Sequence, residues 1–467
     1  MSRRDVRVKL LPGVLAALDL PTPEPLGAPA ARDGRSNGPA FPSPRLTGGP
    51  VFASPLAVGD CAVASVAACL VAAAELAHAR TGRRPDISLD TAHVAAAMRS
   101  EIHLRDPAGN GIDGFAPLSR LWPAADGWVR THANYPWHRA ALLTALGVTD
   151  DPGPAIAALP AAEVERRVYA AGGLAVAART PRQWRAACPP DSPLISFTPT
   201  AHAPALPAPT GPLPASGLRI LDLTRVIAGP AGTRMLAALG ADVLRVDDPN
   251  RPELPLHALD GVIGKASTEI DAATAEGLRT LHRLIGEADV VVTGYRPGAL
   301  RRFGLAPDQI AERRPGTVVA TLSAWGTTGP WADRRGFDSL VQIATGIGWA
   351  VSPDGVRPGA LPCQLLDHAT GYLLAAGILT ALARRARGGS AGHVVVSLTR
   401  TATWLLDQPR TTPFPGTGDA HPIIDGYRVP LGDGWSGISP PGLLDGHRLS
   451  WPHLPPRYGH SPAAFPS

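Results

Sequence analysis

Between Gly217 and Leu322 short apolar runs alternate with amphipathic stretches, and this alternation limits the fold more than any other feature of the chain. Leu218-Arg219-Ile220-Leu221-Asp222-Leu223 reads as a strand, Ala228-Gly229-Pro230-Ala231-Gly232 as a turn, and Thr233 to Leu239 as a helix. Ala241 to Val246 is a second strand and Ala273 to Gly286 a helix. Ala288 to Val292 is a strand, Pro307 to Arg313 a helix, and Gly316 to Leu322 a further strand. Strands alternating with helices build a parallel sheet covered on both faces. Ligands bind such sheets beyond the C-terminal strand ends, in the turns that lead into the helices. The expected fold class is α/β with a Rossmann-like parallel sheet core.

The remaining sequence divides by composition. Residues 1–53 form a leader, partly loose, rich in Pro, Gly and Ala toward its end. Residues 54–197 are Ala-rich and helical, residues 198–216 a Pro-rich linker, residues 217–400 the core, and residues 401–467 a partial repeat ending in a Pro-rich tail that reads as loose. At 467 residues the chain has room for at least two cores. The net charge of +5 is scattered. It favours an anionic ligand mildly, and the absence of a dense Lys/Arg block argues against nucleic acid. Cys61, Cys69, Cys188 and Cys363 form no CxxC pair and no metal spacing, which points to reduced thiols in a cytoplasm. Ser2-Arg3-Arg4 resembles an export signal only faintly, because the apolar stretch after it is broken by Pro12 and Gly13 and stops at Asp19. Cys61 to Leu76 is too short to span a bilayer and reads as a buried helix, so no membrane partner is expected.

An internal repeat joins the two halves. Asp60 lies 307 residues before Asp367 (367 − 60), and Asp126-Gly127-Trp128 lies 307 before Asp433-Gly434-Trp435 (433 − 126). A second match of a rare tripeptide at an unchanged offset indicates a duplicated module. The strand–turn–helix region precedes only the second copy, so chemistry is expected at Asp367 rather than at Asp60.

Asp367 opens a long apolar helical run from Leu373 to Ala383. A carboxylate at a helix mouth sits in the positive field of the N-terminus, which suits an attacking anion and equally an ordinary N-cap. Gly229 and Gly232 with Pro230 between them depart from the G-x-G-x-x-G fingerprint, so a nicotinamide cofactor is not expected. Tyr295 and Arg296 follow an apolar strand, where a ring and a guanidinium can hold an adenine and a phosphate or form an ordinary loop. Ser323 lacks a G-x-S-x-G elbow, and no metal-binding pattern is present.

Taken in order, several stretches resemble the family III CoA-transferases, the CaiB/BaiF family. They are Leu218 to Val226 with Ala228-Gly229-Pro230; Gly240-Ala241-Asp242-Val243; Ala288 to Val292; Tyr295-Arg296-Pro297-Gly298 with Gly304-Leu305; Gly326 with Gly329-Pro330; Gly336-Phe337-Asp338 with Gln342 and Gly346; and Asp367 with Gly371. Residues 54–197 look like the family's later portion placed ahead of the core. The resemblance implies an acyl-CoA:carboxylate CoA-transferase in which Asp367 attacks the thioester and Asp338 assists. It carries CoA contacts over to Ile227, Ala228, Tyr295, Arg296, Arg302, Arg335 and Phe337. It implies coenzyme A as substrate, a carboxylic acid acceptor, no metal, and a homodimer, interlocked in other members. Three positions depart from the family. Ala273 falls where a Lys is frequent, Asp248 where a basic residue is frequent, and Gly294 where an Asn is usual. The glycine loop that shields the intermediate in some members is not located. An apolar pocket is expected along Phe337, Trp325, Trp349 and the N-terminal module. Two alternatives stand beside this reading. One is an acyl-CoA racemase or isomerase of the same superfamily, which would need a proton carrier where Phe337 stands. The other is a CoA-binding scaffold without catalysis.

Overall fold

Seven strands form the central sheet, in the spatial order Ser196–His202, Ser390–Ser397, Val318–Ser323, Val290–Thr293, Arg219–Leu223, Asp242–Asp247, Ala266–Glu269. Every pairing is parallel except the first, which is antiparallel. The computed structural model describes residues 8–22, 43–188, 192–203, 205–412 and 424–466. Ser2-Arg3-Arg4, much of the leader and Pro204 of the linker lie outside them.

Val290–Thr293 and Val318–Ser323 are buried at every position. Their alternate side chains serve two cores. Ile220, Val243, Val290, Val292 and Ala320 pack with the long helices Val58–Thr81 and Leu365–Ala386. Leu221, Leu244, Val291 and Val319 pack with the helices Ala275–Glu287 and Pro307–Arg313. Burial on both faces is why these strands read as continuous apolar runs. Both long helices are apolar and long enough to cross a membrane, and both lie inside the fold.

From Arg219–Leu223 the chain moves outward through Asp242–Asp247 to Ala266–Glu269, then returns to Val290–Thr293 on the other side. Strand order therefore reverses between Arg219–Leu223 and Val290–Thr293. The crevice beyond the C-terminal ends of these two strands is where an open α/β sheet takes its ligand.

Four readings are corrected. Residues Ala228 to Gly232 are the opening turns of the helix Ala228–Ala238, not a turn ahead of it. Pro230 fits there because first-turn N–H groups have no partner within the helix. The bend lies earlier, where Val226 adopts a positive φ of 65°. The Pro-rich linker contributes an edge strand, Ser196–His202, because a proline-bearing segment is tolerated at a sheet margin. The short, polar strand Ala266–Glu269 and the helix Pro255–Asp260 gave too little pattern to be read. The C-terminal tail is ordered where described: Leu443–Leu444 pairs with Ile87–Asp90, and Trp451 donates its indole N–H to the Arg234 carbonyl at 3.2 Å.

The same order of elements occurs twice at the offset of 307. The helix Val58–Thr81 corresponds to Leu365–Ala386, and Leu121 at the start of one hairpin to Arg428 at the start of the other (428 − 121). The two long helices pack along each other at the centre of the molecule.

Candidate active site

Asp367 occupies the third position of the helix Leu365–Ala386, whose N-cap, Gln364, offers no side-chain hydrogen bond. Only 6% of the residue is exposed. The first turn of this helix bonds to Asp338 instead: Asp338 Oδ2 accepts from the N–H of Asp367 at 3.1 Å. Asp338 Oδ1 accepts from Gln342 Nε2. The Asp367 carboxyl itself accepts no hydrogen bond among the described residues.

This arrangement overturns one expectation. The helix N-terminus was expected to keep Asp367 ionised. Burial, then the charges of Asp338 and Glu101, push its pKa well above the usual carboxylate range. Burial also raises Asp338, but its donors hold the rise to about 6. The helix end therefore supports Asp338, and Asp367 is left desolvated and without donors. The two carboxyls titrate as a pair.

Glu101 comes from the N-terminal half. Its Oε2 lies 2.8 Å from His368 Nε2, in a fully buried contact. His368 is thereby committed to Glu101 rather than to a substrate.

Two glycines set the position of the Asp367 helix. A Cβ on Gly371 would fall 2.4 Å from the Ala228 carbonyl, and one on Gly232 would fall 2.6 Å from the Gly371 carbonyl. Only at this separation does the N-terminus of Ala228–Ala238 reach the Asp367 helix. Ile227 and Ala228 are both buried at that N-terminus, so they can offer a ligand backbone N–H groups rather than side chains.

The other expected CoA contacts gather at the switch point, with one exception. Tyr295 and Arg296 follow the strand Val290–Thr293. Arg296 donates to the Asp333 carbonyl at 3.1 Å. Burial, then the like charges of Arg296 and Arg251, lower the pKa of Arg335. Arg251, Arg296 and Arg335 form no ion pair among the described residues. Three neighbouring guanidiniums without ion pairs create a positive field that suits an anion. Phe337 stacks on His132, with ring centroids 3.9 Å apart. Arg302 stands apart, exposed, its guanidinium over the Phe303 ring at 4.5 Å.

A cavity of about 760 Å³ opens beside Asp338. Its wall includes Glu101, Arg130, Gln342 and the segment Gly359 to Gln364 that leads into the Asp367 helix. Gly109, Gly111 and Gly114 line it as well, so a glycine-rich loop from the N-terminal half borders the cavity. Trp325, Trp349 and Phe337 do not line it; apolar side chains such as Ile112, Phe115, Leu256 and Leu361 share the lining with the polar groups. Trp325 is buried instead against Trp184 and Trp331. Arg130, Glu101 and Arg251 were missed in the sequence. A weak signal existed in the density of ligand-type side chains from Arg130 through His132, Tyr135, Trp137 and His138.

Asp60 shows what the first copy has become. It also stands at the third position of its helix, but its side chain is 35% exposed and pairs with Lys9 at 3.3 Å.

Known proteins similar in sequence to part of the chain are CoA-transferases. The model of CoA-transferase family III matches residues 215–430. A probable fatty acyl-CoA transferase of Mycobacterium tuberculosis is 34% identical over 259 residues, covering 48% of this chain and 65% of the relative. The (R)-2-hydroxy-4-methylpentanoate CoA-transferase of Clostridioides difficile is 32% identical, covering 42% and 53%. The succinate–glutarate CoA-transferase of Agrobacterium fabrum is 30% identical, covering 48% and 62%. The chain thus spans between 53% and 65% of the length of these curated relatives. A crystal structure of the mycobacterial protein is 36% identical, covering 42% of this chain and 56% of that one, with a TM-score of 0.39. The region from residue 215 to residue 430, which holds the switch-point loops, Asp338 and Asp367, is the part of the chain that matches CoA-transferase family III.

Proposed function

We propose that the chain is an acyl-CoA:carboxylate CoA-transferase that works through a covalent intermediate on Asp367. The observation that carries this reading is the Asp367 carboxyl, buried, without a donor among the described residues, and next to Asp338, which lines the cavity. A buried polar group without a partner is costly and calls for a functional explanation. A desolvated carboxylate with a raised pKa is a strong nucleophile once ionised.

In the proposed sequence an Asp367 oxygen attacks the thioester carbonyl, the C–S bond breaks, and the CoA thiolate leaves an acyl-aspartyl anhydride. The thiolate then attacks the Asp367 carbonyl, releasing the first acid and forming an aspartyl-CoA thioester. The acceptor carboxylate displaces the thiolate from Asp367 to give a second anhydride. Attack of the thiolate on the acceptor's acyl carbon restores Asp367 and yields the new acyl-CoA. Asp338, which accepts the N–H of Asp367, fixes the helix end and sets the proton affinity of Asp367. Arg251, Arg296 and Arg335 suit the phosphates of CoA, and the Gly109 to Gly114 loop suits a cover over the anhydride. We further propose a cytoplasmic homodimer, consistent with four free cysteines among the described residues.

The test is transfer between unlabelled acyl-CoA donors and labelled carboxylic acids, read as a new CoA ester. Asp367→Ala should lower the rate by roughly 10³-fold or more. Exchange of the α-proton without transfer would favour the isomerase. Phe337 and the fully buried His368 argue against that alternative. Tight CoA binding without either reaction would leave a scaffold.

A further inference from the structure

Arg130 lies on the strand Gly127–Thr131 of the N-terminal half and lines the cavity beside Asp338. Its guanidinium is committed to nothing. Its Nε is buried without a hydrogen-bond partner, and it forms no ion pair among the described residues. Its recorded side-chain neighbour is the Phe115 ring, 5.2 Å from the guanidinium carbon. Burial lowers its pKa to about 10, with the Asp338 charge opposing, so it remains cationic at neutral pH. Asp338, whose charge acts on it, accepts from Gln342 and from the N–H of Asp367 and makes no hydrogen bond to Arg130 among the described residues. A buried cation facing a cavity without a counter-ion is costly unless a ligand anion completes it.

The source of that anion follows from placement. In the transferase reading the phosphates of CoA go to Arg251, Arg296 and Arg335, around the switch point. The reacting carboxylate must meet Asp367, which is unpartnered. Arg130 is thus left for a second anionic group on the acid that occupies the cavity. A guanidinium matches a carboxylate in two parallel hydrogen bonds. We infer that Arg130 binds the distal carboxylate of a dicarboxylic acid, and that the chain prefers dicarboxylate over monocarboxylate acceptors. This rests on the transferase reading above and specifies its substrate class.

The experiment compares kcat/KM for succinate and glutarate with that for propionate and butyrate, in the wild type, Arg130→Gln and Arg130→Lys. The dicarboxylate-to-monocarboxylate ratio should exceed one in the wild type. It should fall roughly 10- to 100-fold in Arg130→Gln, the range of a charge-assisted hydrogen bond, and recover partly in Arg130→Lys. A ratio that Arg130→Gln leaves unchanged overturns the inference, and so does a wild type that favours monocarboxylates. Transfer to no acid at all sinks the transferase reading instead. Calorimetric binding of glutarate then decides the role of Arg130 independently. Binding lost in Arg130→Gln supports the inference, and binding equal in both proteins, or absent from the wild type, overturns it.

Discussion

Asp367 is held in a state that costs the folded protein stability. An acid with a raised folded-state pKa binds its proton more tightly when folded than when unfolded. Its contribution to stability is complete below the unfolded value of about 4 and is lost as pH rises through the folded value. The pKa of Asp367 is raised by burial and by Asp338 and Glu101, so this residue's contribution should weaken as pH rises above about 4. Asp367→Asn removes the ionisation while keeping the shape. Its melting temperature should exceed that of the wild type at pH 8. The difference should vanish below about pH 4. A variant less stable than the wild type at pH 8 would contradict this account of the site. The sequence placed Asp367 near a helix mouth, and the family resemblance paired it with Asp338. Neither revealed which carboxylate accepts the N–H of Asp367. That depends on the side chain of Asp338 reaching across from another helix, which spacing along the chain does not encode.

Among the elements, the crossing of Ala228–Ala238 with Leu365–Ala386 matters most. Gly232 and Gly371 let the two backbones touch, and Gly371 lies one helical turn beyond Asp367. Gly371→Ala sets a methyl group against the Ala228 carbonyl, and neither helix can yield without displacing Ile227 and Ala228. The substitution should cost about 1–3 kcal/mol in denaturant unfolding. It should also raise KM for acyl-CoA, because the backbone donors move away. An unchanged KM would show that the crossing does not position the CoA end. The central strands were legible in the sequence because burial on both faces leaves an unbroken apolar run, as in Val290–Thr293. The edge strands Ser196–His202 and Ala266–Glu269 were not. A margin tolerates proline and polar residues, and nothing in the local pattern separates such a strand from a loop.

For the molecule as a whole, the order of segments decides what the site contains. Glu101, the Gly109 to Gly114 loop and Arg130 line the cavity beside Asp338 from the other half of the same chain, and Glu101 also holds His368. Every group assigned a role here belongs to one chain, even if two chains assemble as a dimer. Specific activity should therefore hold constant on dilution over roughly 1,000-fold, whereas a site shared between chains would lose activity as the chains part. The repeat at a fixed offset was readable from rare residues, such as Asp126-Gly127-Trp128 and its counterpart at Asp433. The contact between the first copy and the core of the second was not, since it joins residues hundreds of positions apart. The central claim, covalent catalysis at Asp367, is tested most directly by trapping. The protein is incubated with a panel of acyl-CoAs, quenched with hydroxylamine, and examined by intact-protein and peptide mass spectrometry. The account predicts conversion of Asp367 to its hydroxamate with at least one donor, and no conversion in Asp367→Ala. An unmodified Asp367 in protein that demonstrably binds CoA would contradict it.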